Sequence, residues 1–497
     1  MATITELLAT SLEALKQVQK EKDFMILKSS DLSRNNLKRL VDNHFLRPIL
    51  KGWYVVTDPG TLPGDSTPWY ASYWNFISRY SNDHYGKEWC LSAEQSLSIH
   101  SGSTTIPKQV IIRSTQASNN TLELLPPCSI FNLKAELPTQ IVLDDRFQVR
   151  LYSLPEALIA CSPVMYQNDS ICMRTALAMI RDSSEVLQIL VDKGLSTKAG
   201  RLVGAFRNNG REDIANDIMQ TMKRMGYDVR EENPFDAIEP LQHSQSPYVT
   251  RIKLMWKEMR VVVIQNFNRP KSPLNSEDFL ARMEAQYKLD AYHSLSIEGY
   301  RVTDYLIEKV KSGLWKPDST DTDQRNALAA RGYWQAFQKV KASVSDIFNS
   351  NEAGTIIERD LPLWYQEMFM PCVSVGIIKP SDIVGYRRHQ VYIRQSMHTP
   401  LPPEALSDAM STLFELLKSE PEASVRAILG HFMFTFIHPY MDGNGRLGRF
   451  LLNTMLASGG YDWIIIPVEQ RAPYMDALEK ASVEGNIEPF VKFVGSI

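Results

Sequence analysis

Phe436-Ile437-His438-Pro439-Tyr440-Met441-Asp442-Gly443-Asn444-Gly445-Arg446-Leu447-Gly448-Arg449 is the stretch on which the reading of this chain turns. Upstream of it Val425, Ile428, Leu429, Phe432, Met433, Phe436 and Ile437 recur at three- and four-residue steps, the period of a buried helix. Pro439 stops that helix just past His438. Downstream, Leu447, Phe450, Leu451, Leu452 and Met455 begin a second apolar helix. Gly443 and Gly445 fall at the turn between them, where backbone N–H groups can converge ahead of a helix N-terminus and bind an anion.

The residues around that turn carry matching chemistry. Arg446 and Arg449, three apart, share a helix face and can embrace neighbouring phosphates. Asp442 is a hard oxygen ligand suited to Mg²⁺, and His438 is the nearby group whose ordinary pKa suits proton abstraction near neutrality. Taken singly, a His after an apolar helix reads as a cap and a Gly-Asn-Gly as a turn. A metal site from His431, His438 and Asp442 fails because the proline break keeps them off one face. Together the groups describe nucleotidyl or phosphoryl transfer.

The string resembles the signature of the Fic family, His-Pro-Phe-x-Asp/Glu-Gly-Asn-Gly-Arg-x-x-Arg, with Tyr440 in place of Phe. That resemblance implies a mostly α-helical Fic domain from about residue 240, acting as a protein adenylyltransferase that moves AMP from ATP to a Ser, Thr or Tyr hydroxyl of a target protein. It implies that His438 deprotonates the hydroxyl, Asp442 holds Mg²⁺, Gly443, Asn444 and Gly445 cradle phosphates, and Arg446 and Arg449 grip the β and γ groups. The segment Gly385-Tyr386-Arg387-Arg388-His389-Gln390-Val391-Tyr392-Ile393-Arg394 looks like the family's flap, which implies a β-hairpin over about 385–398 whose Val391 and Ile393 pair with the target as an added strand. The stretch from Arg471 to Leu478 is similar to the adenine-side helix, implying Tyr474 beside the base, with Met475 where a second Tyr is usual.

Further upstream, Ser294-Leu295-Ser296-Ile297-Glu298-Gly299 resembles the inhibitory motif Ser/Thr-x-x-x-Glu-Gly/Asn of the self-inhibited subclass whose inhibitory helix precedes the Fic core, here about 280–299. The resemblance implies that Ser294, Glu298 and Gly299 form the inhibitory end, with Glu298 paired to Arg449 in the place of the γ-phosphate.

The N-terminal part has a different texture. Residues 6–19 read as a helix, 35–41 as a second helix capped by Ser30 or Ser33, and 46–56 as two strands turned at Lys51-Gly52. Helix, turn, helix, hairpin is the order of a winged helix. Between 28 and 51 six basic residues face two acidic ones, and Arg34, Lys38 and Arg39 on the second helix are the expected DNA contacts. From Asp31 through Val56 the pattern resembles the winged helix of AbiEi-family antitoxins, which implies a winged-helix-like domain over 1–60, and 61–235 is similar in length and texture to their mixed α/β second domain. Within that second region 60–155 reads as strands, as in Val110-Ile111-Ile112-Arg113 and Gln140-Ile141-Val142-Leu143, and 155–228 as helices. A linker is expected at Glu232-Asn233-Pro234-Phe235 and at 240–247. The fold class is therefore a multidomain one: a mostly α-helical Fic domain with a β-hairpin flap, preceded by an α+β region containing a winged helix.

Composition sets the remaining bounds. The chain has 497 residues, 54 basic and 57 acidic side chains for a formal charge of −3, and is 44% hydrophobic and 22% charged, an ordinary globular balance for about three domains. Five cysteines without a CxxC pair exclude a zinc ribbon and a disulfide framework and fit a reducing cytoplasm. The N-terminus lacks a signal-peptide pattern, and the longest apolar run, Trp463-Ile464-Ile465-Ile466-Pro467-Val468, is too short to span a bilayer, so no membrane partner is expected. A reading of another class competes with the enzyme: a DNA-binding transcriptional regulator or antitoxin whose Fic part is a nucleotide sensor.

Overall fold

The structure, a computed structural model, describes residues 3–22, 25–60, 66–236, 246–268, 276–312, 321–350 and 352–497. The chain divides into two compact units, Met1–Pro247 with Tyr392–Thr399, and Tyr248–Val391 with Pro400–Ile497. The expected domain boundary near 240 and most of the 240–247 linker fall on 237–245, outside the described residues.

The first unit opens with α1 (Ile4–Lys22), β1 (Ile26–Lys28), a single 3-10 turn at Ser29–Asp31, α2 (Arg34–Asp42), β2 (Leu46–Leu50) and β3 (Trp53–Val56). Ser33 accepts a hydrogen bond from the Asn36 N–H and so caps α2. The three strands form an antiparallel sheet in the order β1-β3-β2. Strand β1 was not legible as a strand, yet Ile26 and Leu27 are wholly buried and pair opposite Val55 and Tyr54. Leu15, Leu27, Leu40 and Leu46 make the small core joining helices to sheet.

Next come α3 (Thr67–Tyr85), β4 (Cys90–Leu91), α4 (Ala93–His100), β5 (Gln109–Ser114), β6 (Asn120–Glu123), β7 (Ser129–Lys134), β8 (Ile141–Leu143) and β9 (Arg150–Tyr152). The expectation of strands throughout 60–155 is corrected at α3 and α4. Helix α3 is built from strand-favouring aromatics, but Trp69, Tyr73, Phe76 and Tyr80 are buried at helical spacing, and packing overrides propensity. The four-stranded sheet runs β4-β5-β7-β6, with β5 and β7 parallel. Helices α5 (Leu154–Ala160), α6 (Met165–Asn168), α7 (Ser170–Met179), α8 (Ser184–Asp192), α9 (Ser196–Asn208) and α10 (Glu212–Arg224) then close over one core that includes Leu158, Leu177, Leu202, Phe206 and Ile218.

The second unit is helical: α11 (Pro247–Asn266), α12 (Ser276–Ile297), α13 (Asp304–Lys311), α14 (Asp321–Ser350), α15 (Ala353–Ser374), α16 (Leu406–Ser419), α17 (Ala423–Ile437), α18 (Asn444–Ser458), α19 (Arg471–Glu484) and α20 (Glu488–Gly495). No helix among the described residues is long and apolar enough to cross a membrane. The hairpin expected over 385–398 does not form. No strand is present there, only an isolated bridge from His398 to Thr105. The backbone acceptors that a hairpin would use are taken by side chains: Arg387 donates to His389 O and Leu401 O, and Gln390 Nε2 donates to Val391 O and Pro400 O. Pro400, Pro402 and Pro403 have no N–H to give a partner strand.

Helices α14 and α15 approach closely at Gly332, where a Cβ would stand 1.9 Å from the Met368 carbonyl oxygen. Gly332→Ala is therefore expected to force the pair apart and destabilise the protein by about 1–3 kcal/mol, read as a lowered urea midpoint. An unshifted midpoint would mean the helices separate freely.

Candidate active site

Helix α17 is buried along most of its length and delivers His438 to its C-terminal end. The His438 N–H closes the helix on Phe434 O at 2.9 Å, and its φ is +56°, a left-handed conformation that costs a β-carbon-bearing residue strain. Gly443, at φ +83°, starts α18 without that strain. The intervening loop is fastened by Asn444, whose Nδ2 donates to Tyr440 O at 2.8 Å and whose Oδ1 accepts from Tyr440 N at 3.0 Å. Its side-chain polar atoms are thus committed to the loop. Tyr440 itself stacks on Tyr365 with ring centroids 3.8 Å apart, so the exchange of Phe for Tyr keeps the aromatic anchor.

Two guanidiniums sit along the first turns of α18. Arg449 is 5% exposed, and donates from Nε to Ser294 Oγ at 2.9 Å and from Nη2 to Ser294 O at 3.0 Å and Glu298 Oε1 at 2.8 Å. Burial opposes its charge, but the Glu298 carboxylate beside it leaves its pKa raised. Glu298 also lies directly over the turn, since a Cβ on Gly445 would meet its Oε1 at 2.3 Å. Gly299, at φ +86°, ends the segment that carries it. Arg446 is buried between the rings of Tyr300 and Phe369, 5.2 and 5.3 Å from their centroids, and its Nη2 stands 3.4 Å from Asp442 Oδ1. Its Nε has no hydrogen-bond partner among the described residues.

His438 Nδ1 lies 3.1 Å from Thr435 O. A proton on Nδ1 satisfies that carbonyl and leaves the lone pair on Nε2. Burial pushes the imidazole pKa down to about 4, helped by Arg387 and opposed by the Thr435 carbonyl, Glu298 and Asp442. The ring is thus neutral at ordinary pH.

Asp442 is exposed and accepts the Gly443 N–H at 2.6 Å. Among the described residues no three His, Cys, Asp or Glu side chains converge on a common metal position. A lone solvent-facing carboxylate fits Mg²⁺, which keeps several waters and takes its other ligands from substrate phosphates. Tyr474 does not fit its expected place beside adenine. It is 2% exposed, its hydroxyl is 2.9 Å from His431 Nε2, and its ring packs between Phe490 and Phe493, so it belongs to the core. Val391 and Ile393 are partly exposed and lie in no strand. On α2, Arg34 and Lys38 are exposed, whereas Arg39 is half-buried and its Nη1 reaches back to Ser11 Oγ at 3.4 Å and Asn36 Oδ1 at 3.5 Å. The sequence reading passed over Tyr300, Phe369 and Arg387, which no motif position singled out although Arg387 stood within the flap segment.

Residues 365–456 match the Fic/DOC family. The chain is 31% identical over 224 residues to protein adenylyltransferase Fic of Drosophila willistoni, covering 43% of this chain and 40% of that protein. It is 32% identical over 224 residues to the protein of the same name in Drosophila virilis, covering 43% and 41%. This chain thus spans about two fifths of the length of these relatives. Among solved structures it resembles Fic-1 (residues 134–508) of C. elegans at 20% identity and a TM-score of 0.37, over 66% of this chain and 89% of that one.

The lowered His438 pKa carries a sign. An ordinary imidazole near 6.5 in the unfolded chain takes up a proton that the folded one, near 4, refuses. Its contribution to stability is therefore complete above pH 6.5 and is lost as the pH falls toward 4. Asp290, pushed up to about 7 by burial, works in the opposite direction over the same window. His438→Asn, which tolerates the left-handed backbone, should remove about one proton from the slope of unfolding free energy against pH between about pH 6 and 5. Urea titrations of both proteins with equal slopes would assign that titration elsewhere.

Proposed function

We propose that the Fic domain this chain carries transfers AMP from ATP to a hydroxyl side chain of another protein, and that Glu298 holds it off. The match of 365–456 to the family and relatives named protein adenylyltransferase support the reaction. The observation that carries the regulatory half is the Glu298 carboxylate bonded to Arg449 and lying over Gly445, at the mouth of an anion nest.

In this reading Gly443, Gly445 and the N-terminal turn of α18 receive the phosphates, and Arg446 and Arg449 neutralise the β and γ groups. Asp442 would hold Mg²⁺, whose charge would stabilise the departing pyrophosphate. His438 Nε2 takes the proton of the target hydroxyl as its oxygen bonds to the α-phosphorus, and the bond from that phosphorus to the bridging oxygen breaks to release pyrophosphate. The segment that holds Val391 and Ile393 would take the target's backbone as an added strand. With Glu298 in place, a terminal phosphate meets a carboxylate where it needs a guanidinium. Phosphoryl or phosphocholine transfer would be told apart by the mass added to the target.

Full-length protein incubated with labelled ATP and Mg²⁺ in a cell lysate tests both halves. Glu298→Gly should raise label incorporation about 5- to 150-fold, the size of ordinary intramolecular coupling. His438→Ala in that background should lower it by roughly 10²- to 10⁴-fold while leaving ATP binding nearly intact. Equal rates for wild type and Glu298→Gly with a competent target present would remove Glu298 from regulation. No label in any variant would favour a nucleotide sensor.

For the first unit we propose DNA binding through α2 and the β2–β3 turn, a winged-helix use supported by Arg34, Lys38, Arg47 and Lys51, all exposed. Lys28 is excluded from that surface by its ion pair with Asp83. Duplex binding by the full chain should weaken steeply as salt rises, and Arg34→Glu with Lys38→Glu should abolish it. Binding indifferent to both would make this face an ordinary solvated one. The five free cysteines support a reducing, cytoplasmic setting.

A further inference from the structure

His438 combines two features that do not maintain themselves. It occupies a left-handed backbone conformation without being glycine, and it stands at a helix end whose last carbonyls have no intrahelical donor. The donor that meets this end comes from a distant part of the sequence. Arg387 is 5% exposed, and its Nε donates to His438 O at 2.8 Å. Its Nη1 donates to His389 O at 2.9 Å and its Nη2 to Leu401 O, while its own backbone N–H donates to Pro439 O at 2.9 Å. One planar cation thus ties the carbonyls of residues 438, 389 and 401 together, with its main chain holding 439.

We propose that Arg387 is the positioning residue of the candidate base: its guanidinium holds residue 438 in the left-handed turn that carries the imidazole out of α17 and into the site. The proposal rests on the adenylyl-transfer reading for its rate consequences, but the geometry belongs to the His438 ring whatever the reaction. A lysine supplies the charge without the fork, because a single ammonium cannot reach diverging carbonyls in a fixed plane. A methionine supplies neither. Charge and geometry are therefore separable. The charged groups facing the imidazole are Arg387 from the segment before Val391, Glu298 from the end of the α12 segment, and Asp442 from its own loop. Of these Arg387 alone disfavours the protonated ring.

The test uses the full chain in the Glu298→Gly background, so that Glu298 is absent throughout. Arg387→Lys and Arg387→Met are each followed by ATP-dependent label incorporation and by ¹³C NMR of histidine, with His438 assigned by difference against His438→Asn. Both variants should lose about 10- to 100-fold in kcat while the KM for ATP stays within about twofold, as expected when a reacting group is mispositioned and the nucleotide is still held. Both should shift the His438 ring away from a single Nδ1–H tautomer. The midpoint of its titration should rise in Arg387→Met and hold in Arg387→Lys. If Arg387→Met fails to fold, as judged by its thermal transition, Arg387→Lys decides alone through kcat and tautomer. A raised KM with kcat unchanged would make Arg387 a nucleotide-binding residue and overturn the proposal, as would wild-type kcat and tautomer in Arg387→Lys. If the Glu298→Gly parent transfers no label at all, the adenylyl-transfer reading fails. The tautomer then still decides for or against Arg387.

Discussion

A guanidinium taken out of water must find its counter-charge inside the protein, since a buried cation stripped of its partner costs several kcal/mol. Arg449 is such a group, and its three bonds all run to the last turns of α12 and the residues just beyond it. The requirement ties α12 to α18 across 151 residues of sequence for the Glu298 pair. One helical turn before Ser294, Asp290 faces the same guanidinium from the interior and is held by the Tyr333 hydroxyl at 2.9 Å. Burial pushes its pKa up to about 7, so it balances Arg449 only in part and Glu298 supplies the closer charge.

The loop joining α17 to α18 is organised around the same economy of polar groups. Asn444 satisfies both polar backbone atoms of Tyr440, Arg387 satisfies carbonyls at the end of α17, and Thr435 O orients the imidazole. None of these contacts needs a ligand present. The proposed nest and base are therefore preorganised, which is what lets fixed dipoles act on a charge without first having to reorient.

Much of this was legible because the signals were local. The period of α17, the proline after His438 and the two glycines are written within 25 residues of one another, and Ser294 and Glu298 lie four apart on the segment that meets Arg449. What escaped was decided at long range. Helix α3 reads as strand by propensity and became a helix by burying Trp69, Tyr73, Phe76 and Tyr80 together. The flap segment alternates as a hairpin would, but Arg387 and Gln390 claim its carbonyls. Tyr474 kept helical spacing and an aromatic ring, and only packing against Phe490 and Phe493 tells a core residue from a ligand contact.

The space above Gly445 is shared. A methyl group there would sit 2.3 Å from Glu298 Oε1, and it would stand equally in the way of any anion entering the turn. A side chain at 445 therefore meets the Glu298 carboxylate, and under the proposed autoinhibition it would meet the phosphates once that carboxylate has gone, so the position is confined to glycine in both states.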